Sequence, residues 1–103
     1  MEINLTSANF DAEIASGVVL VDFWAPWCGP CQMMGPVVAE LAADFDGRAK
    51  VAKVNIDDES ALAQKFGVMS IPTFKIFKDG EVVATIVGGG PKENLAAELE
   101  KVL

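Results

Sequence analysis

The spacing of apolar positions along the chain switches between a period of two and one of 3.6, which predicts strands and helices in near alternation. INL at 3–5 reads as a short strand. Thr6 or Ser7 is then placed to cap a helix that carries Phe10 and Ile14 one turn apart and ends at Gly17. VVLVDFW at 18–24 is a continuous apolar strand. Pro30 suits the first position of the next helix, where its missing amide costs nothing, and Met34, Val37, Val38, Leu41 and Phe45 form one apolar face. Pro36 falls inside that helix and is expected to kink it. KVAKVNI at 50–56 is a third strand, followed by a short helix with Leu62 and Phe66 that Gly67 can end. TFKIF at 73–77 and EVVATIV at 81–87 flank Asp79-Gly80, a strong hairpin signal. Pro91 opens a last helix whose Leu95, Leu99, Val102 and Leu103 share a face. A βαβα run followed by a hairpin and a helix predicts an α/β fold with a mixed sheet covered on both faces. In such sheets the ligand crevice lies beyond the carboxyl ends of the parallel strands, and WAPWCGPC at 24–31 directly follows the central apolar one.

Composition narrows the function more than the fold. With 103 residues and no linker or repeat, residues 1–103 read as one domain, large enough to bury about 60 to 70% of its unfolded surface. The net charge of −7 leaves seven Lys and Arg48 with no basic cluster to neutralise phosphates, so nucleic acid is not an expected partner. No apolar run approaches the ~18 residues a membrane span needs, and MEINLT has neither the basic nor the apolar part of a secretory signal. A cytoplasmic protein without membrane attachment is the expectation. Histidine is absent, which excludes Cys-His and Ser-His nucleophile pairs and any His-containing metal site.

The only two cysteines, Cys28 and Cys31, stand three positions apart at the start of a predicted helix. As a zinc site they supply half a ligand set, which would need a second chain to complete it. As a structural staple they close a very short loop, worth about 2 kcal/mol in a domain whose core does not require it. As a redox pair the spacing is apt, because cysteines at i and i+3 around a helix start can interconvert between dithiol and disulfide with little backbone movement. That chemistry needs one thiolate at neutral pH. Cys28, just ahead of the helix, faces unpaired amides and the positive end of the dipole, while Cys31, one turn in, is expected to be shielded and protonated. Cys28 is therefore the expected attacker and Cys31 the resolver. Asp22 interrupts an apolar strand; it is either a strand-end acid reaching solvent or a buried one whose pKa rises.

Trp27-Cys28-Gly29-Pro30-Cys31 resembles the active-site sequence of thioredoxins. The likeness extends over essentially the whole chain, through Asp22, Pro36, Lys53, Ile71-Pro72-Thr73, Phe77-Lys78 with Asp79-Gly80, and Val87-Gly88. A lowered pKa of the attacking cysteine is a known property of that family. The resemblance implies the thioredoxin fold, a five-stranded mixed β-sheet flanked by four α-helices, and a protein disulfide reductase whose only redox group is its own dithiol, with no added cofactor and no metal. Gly29-Pro30 between the cysteines favours a reductant. Asp22 becomes the buried acid that takes the proton from Cys31, directly or through water, when the mixed disulfide is resolved. Lys53 on the neighbouring strand is expected to pair with it and temper its charge, the alternative being an ordinary edge or strand-end cation. Pro72 is implied to be cis, packed against the dithiol and leaving the Ile71 backbone free to pair with substrate. Trp27, Gly88 and Gly89 are implied to complete a flat apolar surface around Cys28. Implied partners are a thioredoxin reductase, NADPH- or ferredoxin-linked, and targets such as ribonucleotide reductase, peroxiredoxins and methionine sulfoxide reductase. A monomer is expected.

Other features have plainer readings. Asp57-Asp58-Glu59 precedes a helix, where capping and the dipole favour acids, so a metal cluster is not expected. Gly88-Gly89-Gly90 lacks the spacing and the basic residue of a phosphate loop. Met34 reads as core filling, while Met33 and Met69 suit an adaptable binding surface. Trp24 fits core and site equally. Gln32 and Met69-Ser70 stand where thioredoxins often carry a cation, which makes the rim of the site less positive and bears on partner choice more than on chemistry. The alternative function is a thioredoxin-fold binding subunit with incidental redox activity, for which an intact dithiol, Asp22 and Pro72 have no physical need.

Overall fold

The computed structural model describes residues 2–103. Five strands and four helices follow in the order β1 (Glu2–Asn4), α1 (Phe10–Ile14), β2 (Val18–Trp24), α2 (Gly29–Asp44), β3 (Lys50–Asn55), α3 (Ser60–Lys65), β4 (Thr73–Lys78), β5 (Glu81–Val87) and α4 (Lys92–Glu100). The strands form one sheet in the order β1-β3-β2-β4-β5, parallel among β1, β3 and β2 and antiparallel at β4 and β5. This is the mixed sheet that the alternating pattern predicts. The chain reverses at Asp79 and Gly80, whose φ values of 51° and 89° are the left-handed pair of a tight hairpin.

Side chains alternate across the sheet, so each strand feeds two cores. On one face Leu20, Val51, Phe74 and Ile76 meet Met34, Val38 and Leu41 of α2 and Leu95 and Leu99 of α4. On the other, Val19, Val21, Phe23 and Val54 meet Phe10 and Ile14 of α1 and Leu62 of α3. Phe10, Phe66 and Phe77 close that second face with ring centroids 5.2 to 5.7 Å apart, within the range of favourable tilted and edge-to-face contacts. β2, buried along nearly its whole length, is the strand whose carboxyl end carries the cysteines.

Several local expectations shift. β1 begins and ends one residue earlier than INL suggests, because Leu5 leaves the strand to enter the α1 core while its amide still donates to the Lys53 carbonyl at 2.8 Å. Neither Thr6 nor Ser7 caps α1, because the helix starts later, with Asn9 at the N-cap and no side-chain cap; the Thr6 Oγ1 accepts the Ala8 amide at 3.2 Å and Asn9 Oδ1 accepts the Thr6 amide at 2.7 Å, bonds of the turn that precedes the helix. Ser7 is used elsewhere, its amide and hydroxyl both donating to Glu59 Oε1. Glu59, at the N-cap of α3, therefore makes no side-chain cap, contrary to the capping role assigned to the acidic run. Gly29 and then Pro30 open α2, which continues without interruption through Pro36. Leu103 is exposed rather than sharing the buried face of Leu95 and Leu99.

Candidate functional site

Where β2 gives way to α2, the chain builds the site from the helix start. Cys28 is the N-cap residue in extended conformation, φ −88° and ψ 111°, and its Sγ accepts the Cys31 amide at 3.2 Å. The two sulfurs are joined as a disulfide. A hydrogen bond from a free helix amide and the positive end of the dipole both favour negative charge on Cys28, so its thiolate is the more stable one when the pair is reduced. Exposure does not separate the two cysteines, at 5% for Cys28 and 4% for Cys31. The shielding foreseen for Cys31 applies to both, and helix position is what distinguishes them.

The second side of the site comes from the turn before β4. The Ile71-Pro72 peptide is cis, as the resemblance implies. Ile71 packs against Ala25, Cys28 and Cys31, and its carbonyl oxygen lies 3.8 Å from Cys28 Sγ. The Pro72 carbonyl accepts the Gly88 amide at 2.8 Å, which ties the end of β5 to the same turn. Gly88 has φ 92°, a conformation that side chains rarely adopt. Gly89 lies against Met34, whose sulfur would be 3.4 Å from an added Cβ. Gly89 and Gly90 then share a shallow depression of ≈ 330 Å³ with Pro30, Met33, Met34 and Val37.

Around this centre Trp27, Met33, Met69 and Val87 are exposed apolar side chains. Trp27, 68% exposed, is nevertheless anchored: its indole Nε1 donates to both carboxylate oxygens of Asp57 at 3.1 Å. The sequence offers no signal for that contact, since the partners are thirty positions apart and Asp57 sits in an acidic run with another explanation. Gln32 donates from its side chain to the Pro26 carbonyl. Trp24 is partly buried against the disulfide cluster.

Asp22 is 1% exposed, on the sheet face that α2 covers, opposite Phe74 on β4 and Lys53 on β3. Its Oδ1 has no hydrogen-bond partner among the described residues. Burial pushes its pKa up from 3.8 to about 7, with Lys53 pulling it down and Glu2 pushing it further up. The solvent-reaching alternative for Asp22 is thereby excluded. The expected Asp22-Lys53 ion pair is not formed: Lys53 Nζ lies 3.8 Å from Glu2 Oε1 and 4.4 Å from the Trp24 ring centroid. The register does set Lys53 beside Asp22, but its long side chain turns toward the second carboxylate on β1, so it tempers the charge of Asp22 from a distance. Among the described residues no group of three or more Cys, Asp or Glu is arranged to hold a metal, and no helix is long and apolar enough to cross a membrane.

A disulfide at a helix N-terminus, beside a cis-proline turn and following a strand that buries a carboxyl whose pKa burial raises to about 7, defines a thiol-disulfide redox protein. The Thioredoxin family model matches residues 2–101, and the chain belongs to that family. It is 56% identical over 101 residues to the thioredoxin of Staphylococcus saprophyticus, covering 98% of this chain and 97% of that one, and 54% identical to that of Staphylococcus aureus over the same span. Among solved structures, a mutant thioredoxin from Halobacterium salinarum superposes with a TM-score of 0.92 at 40% identity, over 98% of this chain and 89% of that one. The protein is a thiol-disulfide oxidoreductase of the protein-disulfide reductase type, carrying its redox equivalents on its own dithiol and working with a thioredoxin reductase and disulfide-containing targets. The binding-subunit alternative is not favoured.

Proposed function

We propose that Cys28 attacks and Cys31 resolves. The Cys28 thiolate displaces one sulfur of a target disulfide, forming a mixed disulfide and releasing a target thiolate that takes a proton from solvent. Cys31 then gives its proton to Asp22 and attacks Cys28 Sγ, releasing the second target thiolate and leaving the Cys28-Cys31 disulfide. Two electrons pass from the dithiol to the target; both target thiolates take their protons from solvent, and Asp22 returns to solvent the proton it accepted from Cys31. Trp27, Gly29, Pro30, Ile71, Pro72, Gly88 and Gly89 form the cradle for an extended target segment, with the free Ile71 backbone as its hydrogen-bonding edge. Lys53 acts on the acid electrostatically. The observation that carries this reading is the Cys31 amide directed at Cys28 Sγ at the helix N-cap.

The same reading assigns residues 1–103 to one domain, acting as a monomer in the cytoplasm. Its reductase is NADPH- or ferredoxin-linked, and ribonucleotide reductase, peroxiredoxins and methionine sulfoxide reductase are targets of the expected kind. Trapping tests the assignment of roles. Cys31→Ser, mixed with a disulfide-bonded protein, should accumulate a mixed disulfide through Cys28, whereas Cys28→Ser should accumulate none. A trapped adduct through Cys31 in the Cys28→Ser protein, at a comparable rate, would reverse the roles.

A further inference from the structure

Glu2, Lys53 and Asp22 stand on three neighbouring strands, β1, β3 and β2, and project toward the face that α2 covers. Lys53 is the register partner of Asp22 on one side and of Asn4, two residues from Glu2, on the other. Its ammonium lies 3.8 Å from Glu2 Oε1, and it lines a cleft of ≈ 320 Å³ with Trp24, Asn55 and Asp58 that Asp22 does not reach. Glu2 Oε1 and Asp22 Oδ1 are both buried and accept no hydrogen bond from the described residues. A buried carboxylate, Asp22, and a partly exposed one, Glu2, thus compete for one ammonium, and closeness to Glu2 weakens its hold on Asp22.

We infer that Glu2 is a positioning residue: it holds the Lys53 ammonium on the β1 side of the sheet and so leaves the Asp22 carboxyl unpaired and able to carry a proton. The inference rests on the reading of Asp22 as the proton acceptor for Cys31. The other charged groups near Asp22 do not take over this part. α2 covers this face with the apolar Met34, Val38 and Leu41, and its Glu40 and Asp44 are engaged by Lys92 of α4. On β4 Phe74 faces the same side, while Lys75 lies on the opposite face, bonded to Thr85. The pKa effects on Asp22 agree in direction, Lys53 lowering and Glu2 raising.

The test is a carbon-13 NMR titration of the Asp22 carboxyl in the full chain in its disulfide form, where no thiol titrates. Glu2→Gln should lower the Asp22 midpoint by about half a pH unit or more, because the freed ammonium moves toward it, and Glu2→Asp should restore most of the difference. In a Lys53→Met background, where there is no ammonium to release, Glu2→Gln should produce less than half of that shift. A midpoint unmoved to within ~0.1 unit, a rise, or equal shifts in both backgrounds would overturn the inference. The NMR midpoint decides it alone. The pH profile of mixed-disulfide resolution in the reduced protein tests the separate role of Asp22 as acceptor: Asp22→Asn leaving that profile unchanged would remove the acceptor role, whatever Glu2 does to the carboxyl.

Discussion

Asp22 is an acid placed where a charge is costly. Its folded-state pKa of about 7 lies above the unfolded value of 3.8, so the native state binds the proton more tightly than the unfolded one. By linkage, the protection this gives is complete below the unfolded value and is lost as pH rises through the folded one. The shift corresponds to a penalty on the order of 4 kcal/mol above neutrality. Asp22→Asn should therefore raise stability at pH 8 by up to about 4 kcal/mol, less whatever the buried amide itself costs, and change it little at pH 3.5, as denaturant melts at the two pH values would show. Equal gains at both would mean that packing rather than ionisation sets the effect. The same variant should slow release of the mixed disulfide at neutral pH, which is why a destabilising acid is worth keeping. From the sequence Asp22 stood out because it broke an apolar strand. What it lacked as a partner was not legible, because the length of the Lys53 side chain lets it choose between two carboxylates, and Glu2 drew attention only once β1 was set beside β3.

At the scale of elements, α2 does two things with one sequence. Its first turn presents amides to Cys28, and its middle presses Met34, Val38 and Leu41 into the sheet, so the reactive end is held by a packed helix rather than a loop. Leu41, fully buried, should cost about 2 to 5 kcal/mol on replacement by Ala. Because the Cys28 environment is made by the first-turn amides rather than by the middle of the helix, Leu41→Ala should lower stability in chemical denaturation while leaving the alkylation pH midpoint of Cys28 within about half a unit of wild type in the folded state. A midpoint returning to ordinary thiol values in a folded protein would instead tie the Cys28 environment to distant packing. Strands β2 and β5 and the hairpin were readable to the residue because an apolar run and Asp79-Gly80 leave little freedom. Element ends decided by tertiary contact were not: Leu5 left β1 for the α1 core, and Glu59 gave up capping to bind Ser7. The anchoring of Trp27 by Asp57 belongs to the same class, a contact between loops that no local pattern encodes.

For the whole molecule the decisive quantity is charge. A net −7 protein presents Trp27, Met33, Met69 and Val87 around its disulfide, with the uncharged Gln32 and Ser70 nearby. On the proposed reading, docking on that surface depends on apolar contact and a backbone edge, while a net negative field repels acidic partners and attracts basic ones. Gln32→Lys should raise kcat/KM several-fold toward an acidic disulfide substrate at low ionic strength, and the gain should shrink as salt approaches ~0.5 M. A gain independent of salt would point to a contact rather than steering. Net charge and the absence of histidine were plain from composition, and they excluded a nucleic-acid surface and a histidine partner for the cysteines. The arrangement of apolar groups around it needed the fold, because Trp27, Met69 and Val87 come from three separate segments.

The most direct test of the account is the rate at which dithiothreitol reduces a disulfide-bonded protein with catalytic amounts of this one, wild type beside Cys28→Ser and Cys31→Ser. The account predicts turnover by the wild type and none by either variant, since the cycle needs both the attack by Cys28 and the resolution by Cys31. Turnover by a folded Cys28→Ser protein, or a reduced wild type no faster than dithiothreitol alone, would contradict it.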